Sequence, residues 1–265
     1  MNRTQLKFLA IIAMTCNHIV DAFHPRLTMF WQVMWAIGML TAPAMMYLLA
    51  EGWDRTSNRL NYFKRLALFA LVSQLPFMLV FHTKTINFIG TLTLTMILWF
   101  GFEYTQKALT KLKDLMHKIE YTQFSKFSKQ DMKRINQQLT YYLNNAIYQL
   151  MIGFLLMICS TILFYFCDGQ WIAFMYACIF GLCKKFYPSI QFTLAALSFM
   201  VFAIYLSMYP PALTQLSVSV IISIGLIIQL MYNHTQANRP FKQFFYLYYP
   251  SHLLIFAIFQ QFLQK

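Results

Sequence analysis

Charge is scarce in this chain. Of 265 residues only 11% are charged, against 59% hydrophobic and 18% aromatic. A soluble domain carries about a quarter of its residues charged, so this composition cannot build a water-facing shell. Acid is scarcer still, with eight Asp and Glu against twenty-one Lys and Arg. The eight glycines form no phosphate-cradling loop. The five cysteines, Cys16, Cys159, Cys167, Cys178 and Cys183, are odd in number and lack zinc spacing with histidines. They offer no disulfide framework and read as small buried hydrophobes. No nucleophile elbow or metal-ligand spacing is present, so no metal is expected. Internal repeats and low-complexity tracts are also missing.

What the chain has instead is long apolar runs. A bilayer core about 30 Å thick requires about 20 mostly apolar residues per helix. By that rule spans fall at 6–23, 29–50, 62–81, 86–103, 144–166, 170–183, 190–208, 212–232 and 244–263. The sixth is short, lying between Gly169 and Lys184. A transmembrane barrel would need segments alternating in polarity, and runs such as LLMICSTILFYF do not alternate. The expectation is an all-α, polytopic helix bundle of about nine spans forming one domain over 1–265. Arg3 and Lys7 precede an apolar run that continues to Phe23 without a small-x-small cleavage site, so the run reads as a retained first helix.

The net charge of +13 would suit nucleic acid, but its distribution points elsewhere. With a cytoplasmic amino terminus, the cytoplasmic segments hold Arg3, Lys7, Arg55, Arg59, Lys64 and Arg65. They also take in the seven lysines and Arg134 of the long loop, Lys184, Lys185, Arg239 and Lys242, leaving Arg26, Lys84 and Lys265 outside. That is the positive-inside bias, a topology signal, and no nucleic-acid partner is expected. A bacterial inner membrane is the expected location. One insertion, at about 104–143, carries Leu109, Leu112, Leu115, Met116 and Ile119 at helical spacing with lysines on the other faces. It reads as a basic amphipathic cytoplasmic segment, either lying on an anionic leaflet or serving as a solvated linker.

Ionisable groups in hydrocarbon are costly and by default line a cavity or pathway. His18 lies twelve residues beyond Leu6, about 18 Å along the first helix, in its outer half. Asp21 follows at i+3, the spacing that puts a carboxylate on the same face. Such a pair suits a general base; a histidine bonded to a neighbouring helix would show the same spacing. His252 enters the last span within the aromatic run Phe245, Tyr246, Tyr248, Tyr249, which also suits an interfacial belt. Glu51, Arg55, Arg59 and Arg65 cluster at the inner mouth, where arginines hold phosphates or simply anchor the topology. Gln74 and Asn87 fit interhelical hydrogen bonding.

Several blocks together resemble the TraX family. The first is Leu6-Lys7 through Asn17-His18-Ile19, followed by Ala42-Pro43 and Leu48-Leu49-Ala50-Glu51-Gly52-Trp53 with Arg55-Thr56 and Arg59. Tyr62, Arg65-Leu66, Phe69-Ala70 and Ser73-Gln74-x-Pro76-Phe77 continue the match, then Asn87 and Thr91. Tyr232-Asn233 and Phe245-Tyr246-x-Tyr248-Tyr249-Pro250-x-His252-Leu253 close it. The blocks cover roughly 1–95 and 230–255; the middle matches only in hydropathy.

That resemblance implies N-terminal acetylation of pilin and a relationship to the wider membrane acyltransferases. It implies acetyl-coenzyme A as donor and His18 as base, with Lys7 holding the place of a first-helix arginine. The phosphates would fall to Lys7, Arg55, Arg59, Arg65 and Arg239, and the acceptor would be pilin or another amine at the outer face. Glu51, Asn87, Tyr246 and His252 become candidates for lining the cavity or stabilising an oxyanion. The chain departs from the pattern where Asn17 replaces aspartate, Val20 glycine and His234 glycine, and Asp21 is expected to supply the missing carboxylate. A non-catalytic pilus-assembly or conjugation factor and a small-molecule transporter are the alternatives. A transporter would more often show repeated halves with broken helices.

Overall fold

The computed structural model describes residues 1–23, 28–123, 128–232 and 242–263. They form ten helices: α1 (Arg3–Phe23), α2 (Met29–Gly38), α3 (Thr41–Arg55), α4 (Arg59–Phe81), α5 (Phe88–Gln123), α6 (Lys129–Phe164), α7 (Gln170–Leu182), α8 (Pro188–Leu206), α9 (Pro211–Met231) and α10 (Lys242–Leu263). Among the described residues there is no strand, only an isolated two-residue bridge. By length and hydropathy α1, the α2–α3 pair, α4, α6, α8 and α9 are long and apolar enough to cross a membrane, and α7 is shorter. The nine spans read from hydropathy are therefore approximate: the protein is an all-helical integral membrane protein, and its second apolar run is two helices.

Local sequence explains several of these boundaries. Asn2 and Gln5 cap α1 reciprocally, each side chain accepting from the other's backbone N–H at 2.9 and 2.7 Å, a capping box. Asn58 caps α4 by accepting from Asn61 N at 2.9 Å. Pro188 and Pro211 open α8 and α9, where a missing N–H costs nothing. The break between α2 and α3 falls at Met39–Leu40. Pro43 follows four residues after Met39, so its ring opposes the Met39 carbonyl and gives it no donor. By contrast α10 continues through Pro250.

Residues 1–93 and 164–265 make one compact unit. Within it α1 is the hub, packed against α2, α3, α4 and α10. Leu6, Ala10, Ala13 and Met14 fall at i, i+4, i+7 and i+8, one helix face, and are all at most 3% exposed. The two alanines permit the close approach that membrane helices use in place of a hydrophobic driving force. Gly38 does the same for α2, since a Cβ there would collide with Asn17. Outward faces are apolar: Leu71 of α4 and Leu230 of α9 are 75% and 83% exposed, a lipid-facing surface. Two loops at one end of the unit pair through backbone, Ile86 N–H to Phe166 O and Asp168 N–H to Ile86 O, both 2.8 Å.

Residues 94–163 form the second unit. In it the continuations of α5 and α6 approach closely at Gly101 and Gly153, where a Cβ on either would crowd the other's carbonyl at 2.8 Å. Lys118 lies 5.6 Å above the Tyr142 ring. Within the basic stretch at 104–143, residues 104–123 continue α5 and 129–143 begin α6.

Candidate functional site

Two cavities open within the first unit, and α1 forms part of both walls. One, of about 550 Å³, is lined by Arg3, Lys7, Arg55 and Arg65 together with Tyr62, Tyr246, Tyr248 and Tyr249. The other, of about 310 Å³, is lined by Asn17, His18, Thr41, Thr85, Asp168 and Gln170 among apolar residues. Met14 and Phe88 belong to both, so they form the partition. Among the described residues the first cavity is lined by basic side chains and no acid, and the second by one carboxylate and no Lys or Arg.

His18 is 6% exposed. Its Nδ1 lies 2.8 Å from Nε2 of His252, and Nδ1 of His252 lies 2.9 Å from the Tyr248 carbonyl. A carbonyl only accepts, so the neutral His252 carries its proton on Nδ1 and leaves Nε2 as acceptor. His18 must then donate from its own Nδ1, which puts its unprotonated lone pair on Nε2. This assignment follows from the bonding partners. His18 thus stands on the acidic cavity's wall as a neutral base, with His252 behind it fixing the tautomer. Tyr248 is held in turn by a 2.7 Å bond to Thr15.

Asp21 does not supply this support. Its carboxylate accepts from Asn17 Nδ2 at 2.8 Å, because Asn17 lies one helical turn before it and reaches it first. The expected Asp21–His18 pair is replaced by His18–His252, across 234 positions of sequence. Asn17 lines the acidic cavity, and its Oδ1 is buried without a partner.

At the basic end Glu51 is a counter-ion. It pairs with Arg55 at 2.7 Å and Arg3 at 3.4 Å, and accepts from the Tyr232 hydroxyl, while lying outside the cavity lining. Arg3, which the spacing arguments left as a topology charge, comes onto the wall because Gly52 has no Cβ: one there would sit 2.9 Å from its Nη2. Lys7 lies 5.0 Å over the Phe245 ring. Arg59 turns away, 4.7 Å over Trp53 and donating to its carbonyl. Arg239 lies outside the described residues.

Asn87 is fully buried and lines neither cavity. Its Nδ2 donates to Ala70 O at 2.7 Å and Gln74 Oε1 at 2.9 Å, and its Oδ1 accepts from Gly90 N at 3.0 Å. Together with Gln74 donating to Thr85 O, this latches α4 to the start of α5. Tyr246 lines the basic cavity, stacked 4.9 Å from Phe69.

Three residues of these walls are not among the candidates read from the sequence. Tyr249, 3% exposed, lines the basic cavity and packs edge-on against His18 at 5.9 Å, yet its hydroxyl has no hydrogen-bond partner. The Thr41 hydroxyl on the acidic cavity is likewise unpartnered. Asp168, in the loop before α7, faces the same cavity. Burial, with Asp21 adding like charge, pushes its carboxyl up to about 6.

The chain is 36% identical over 73 residues to a probable fimbrial assembly protein, FimC of serogroup H1, from Dichelobacter nodosus. The matched region is 28% of this chain and spans only about 30% of that relative's length. No solved structure matches. The family described as TraX protein matches residues 2–260, a range that takes in both cavities and the His18–His252 pair, and the chain belongs to the TraX family.

Proposed function

We propose that this protein is an acetyl-coenzyme A-dependent N-acetyltransferase of the bacterial inner membrane, acting on an amine presented at the outer face. The observation that carries the reading is the pair of cavities of contrasting charge, separated by Met14 and Phe88, with His18 on the wall of the second. The basic cavity lies at the end of the unit that carries Arg3, Arg55, Lys184 and Lys185, the cytoplasmic end by the positive-inside rule. Coenzyme A is a cytoplasmic polyanion, and guanidinium groups hold phosphate through paired hydrogen bonds. Arg3, Lys7, Arg55 and Arg65 would bind it there, Glu51 holding two of the arginines in place. The thioester would then reach the partition.

On the other side the free amine attacks the thioester carbonyl. As the C–N bond forms, His18 Nε2 takes the amine proton. As the C–S bond breaks, that proton passes to the departing thiolate, giving free coenzyme A. The Tyr249 hydroxyl, on the basic cavity's wall with its ring edge-on to His18, would donate to the oxyanion. TraX membership and the fimbrial assembly relative make the N-terminus of pilin the leading acceptor.

Labelled acetyl-coenzyme A, purified protein in nanodiscs and a panel of amines including a processed pilin peptide would test this. Transfer by wild type that is lost at least about 100-fold in His18→Ala is expected, since removing a general base costs about 10²–10⁴-fold. The fimbrial relative favours a second reading, a non-catalytic pilus-assembly factor. A His18→Ala protein that still supports pilus assembly, with no acetyl transfer by wild type, would establish that one instead.

A further inference from the structure

We propose that Asp168 is the anchor for the acceptor's ammonium group, which makes the outer cavity a site for primary amines and not for alcohols. This rests on the acyl-transfer reading and narrows its substrate class. Among the described residues Asp168 is the one carboxylate on the cavity wall, and no Lys or Arg lines it. Among the described residues no basic side chain pairs with it. An ion held among apolar walls with no counter-ion is costly, and a cationic ligand removes that cost. Two further acceptors face the same space unsatisfied. Thr41, 8% exposed, has a hydroxyl with no partner, and Asn17 has a free Oδ1. An ammonium carries three N–H donors, one for each of these oxygens.

The anchor is fixed and not merely nearby. Asp168 N–H donates to Ile86 O at 2.8 Å, Thr91 Oγ1 donates to Asp168 O at 3.1 Å, and the chain turns immediately afterwards at Gly169 with φ of 82°. These contacts hold the loop before α7 on the start of α5, which aims one carboxylate into a cavity that also holds the His18 base.

Proton balance separates the two acceptor classes. An alcohol loses one proton during acylation, and one base suffices. An ammonium must lose one proton to become nucleophilic and a second as the amide forms. Asp168 takes the first and releases it to outside water. His18 takes the second and returns it to the thiolate. The net change is ammonium plus thioester giving amide, thiol and one proton. The cavity holds two separate proton acceptors, as the amine requires.

The test compares full-length wild type and Asp168→Asn in nanodiscs. The acceptors are a short peptide with a free N-terminal amine and its isostere with a hydroxyl at that atom. Wild type is expected to prefer the amine, and Asp168→Asn to lower the amine-to-hydroxyl ratio of kcat/KM about 100-fold, with Asp168→Glu recovering part. Acetyl-coenzyme A binding, read by tryptophan fluorescence, reports that the variant is folded. An unchanged ratio in Asp168→Asn overturns the proposal while leaving acyl transfer standing. Should wild type transfer to neither acceptor, the acyl-transfer reading fails, and thermal stabilisation by the amine peptide decides the anchor. Stabilisation of wild type but not of Asp168→Asn supports it, and equal or absent stabilisation overturns it.

Discussion

At the scale of single residues, function depends on which atoms are left without partners. His18 is spoken for at Nδ1 and free at Nε2 because His252 is itself committed to the Tyr248 carbonyl. Tyr249 is the reverse case, a buried hydroxyl without a side-chain hydrogen-bond partner among the described residues. An unsatisfied buried donor costs free energy, and the cost is recovered if the group acts on bound substrate. In the acetyl-transfer assay Tyr249→Phe should lower kcat about 100-fold with little change in KM, the pattern of a lost oxyanion donor. His252→Phe should cost a similar factor by releasing the His18 tautomer. Equal kcat in wild type and Tyr249→Phe would remove the hydroxyl from the mechanism.

Helix ends and helix breaks carry the next level of the design. The α2–α3 break at Met39–Leu40 puts Met39 and Thr41 on the cavity wall; an unbroken 27-residue helix would turn only one stripe inward. Gly38, just before the break, lets α2 reach Asn17. Gly38→Val should therefore destabilise the detergent-solubilised protein by about 1–3 kcal/mol, seen as a lower Tm. Because Asn17 must shift, KM for the amine should rise more than KM for acetyl-coenzyme A. The Asn87–Gln74 latch and the Ile86–Asp168 pairing act at the opposite wall, holding two loops in register with α5. The polar groups here are structural, and their role at the site is to place Phe88 and Asp168.

For the whole molecule, the asymmetry of charge sets direction. By the positive-inside reading Arg3, Arg55, Arg59, Arg65, Lys184 and Lys185, with Glu51 and Asp54 paired among them, belong to one end and Asp21 and Asp168 to the other; under the proposed transfer an anionic donor and a cationic acceptor would be drawn to opposite faces. In a cysteine-free background, Lys84→Cys should react with a membrane-impermeant maleimide on intact cells, and Lys184→Cys only after permeabilisation. The opposite pattern would place the basic cavity outside and deny it cytoplasmic acetyl-coenzyme A.

Much of this was written in the sequence. Hydropathy accumulates locally along the chain, so apolar runs disclosed the membrane class and most helices without any knowledge of neighbours. An ionisable residue in such a run marks itself, which is how His18 and His252 stood out separately. Their pairing, the substitution of His252 for Asp21 as partner, and the arrival of Arg3 beside Gly52 depend on distances between segments far apart in sequence. Asp168 lies between two apolar runs and Thr41 and Tyr249 within them, and nothing in those positions marks a vacant hydrogen bond, which is a property of surroundings and not of residue type. The sequence by itself determined that this chain lives in a bilayer and carries a histidine there. Only the tertiary structure decided which side of that histidine is free, since a tautomer is chosen by the acceptor that folding brings within 3 Å.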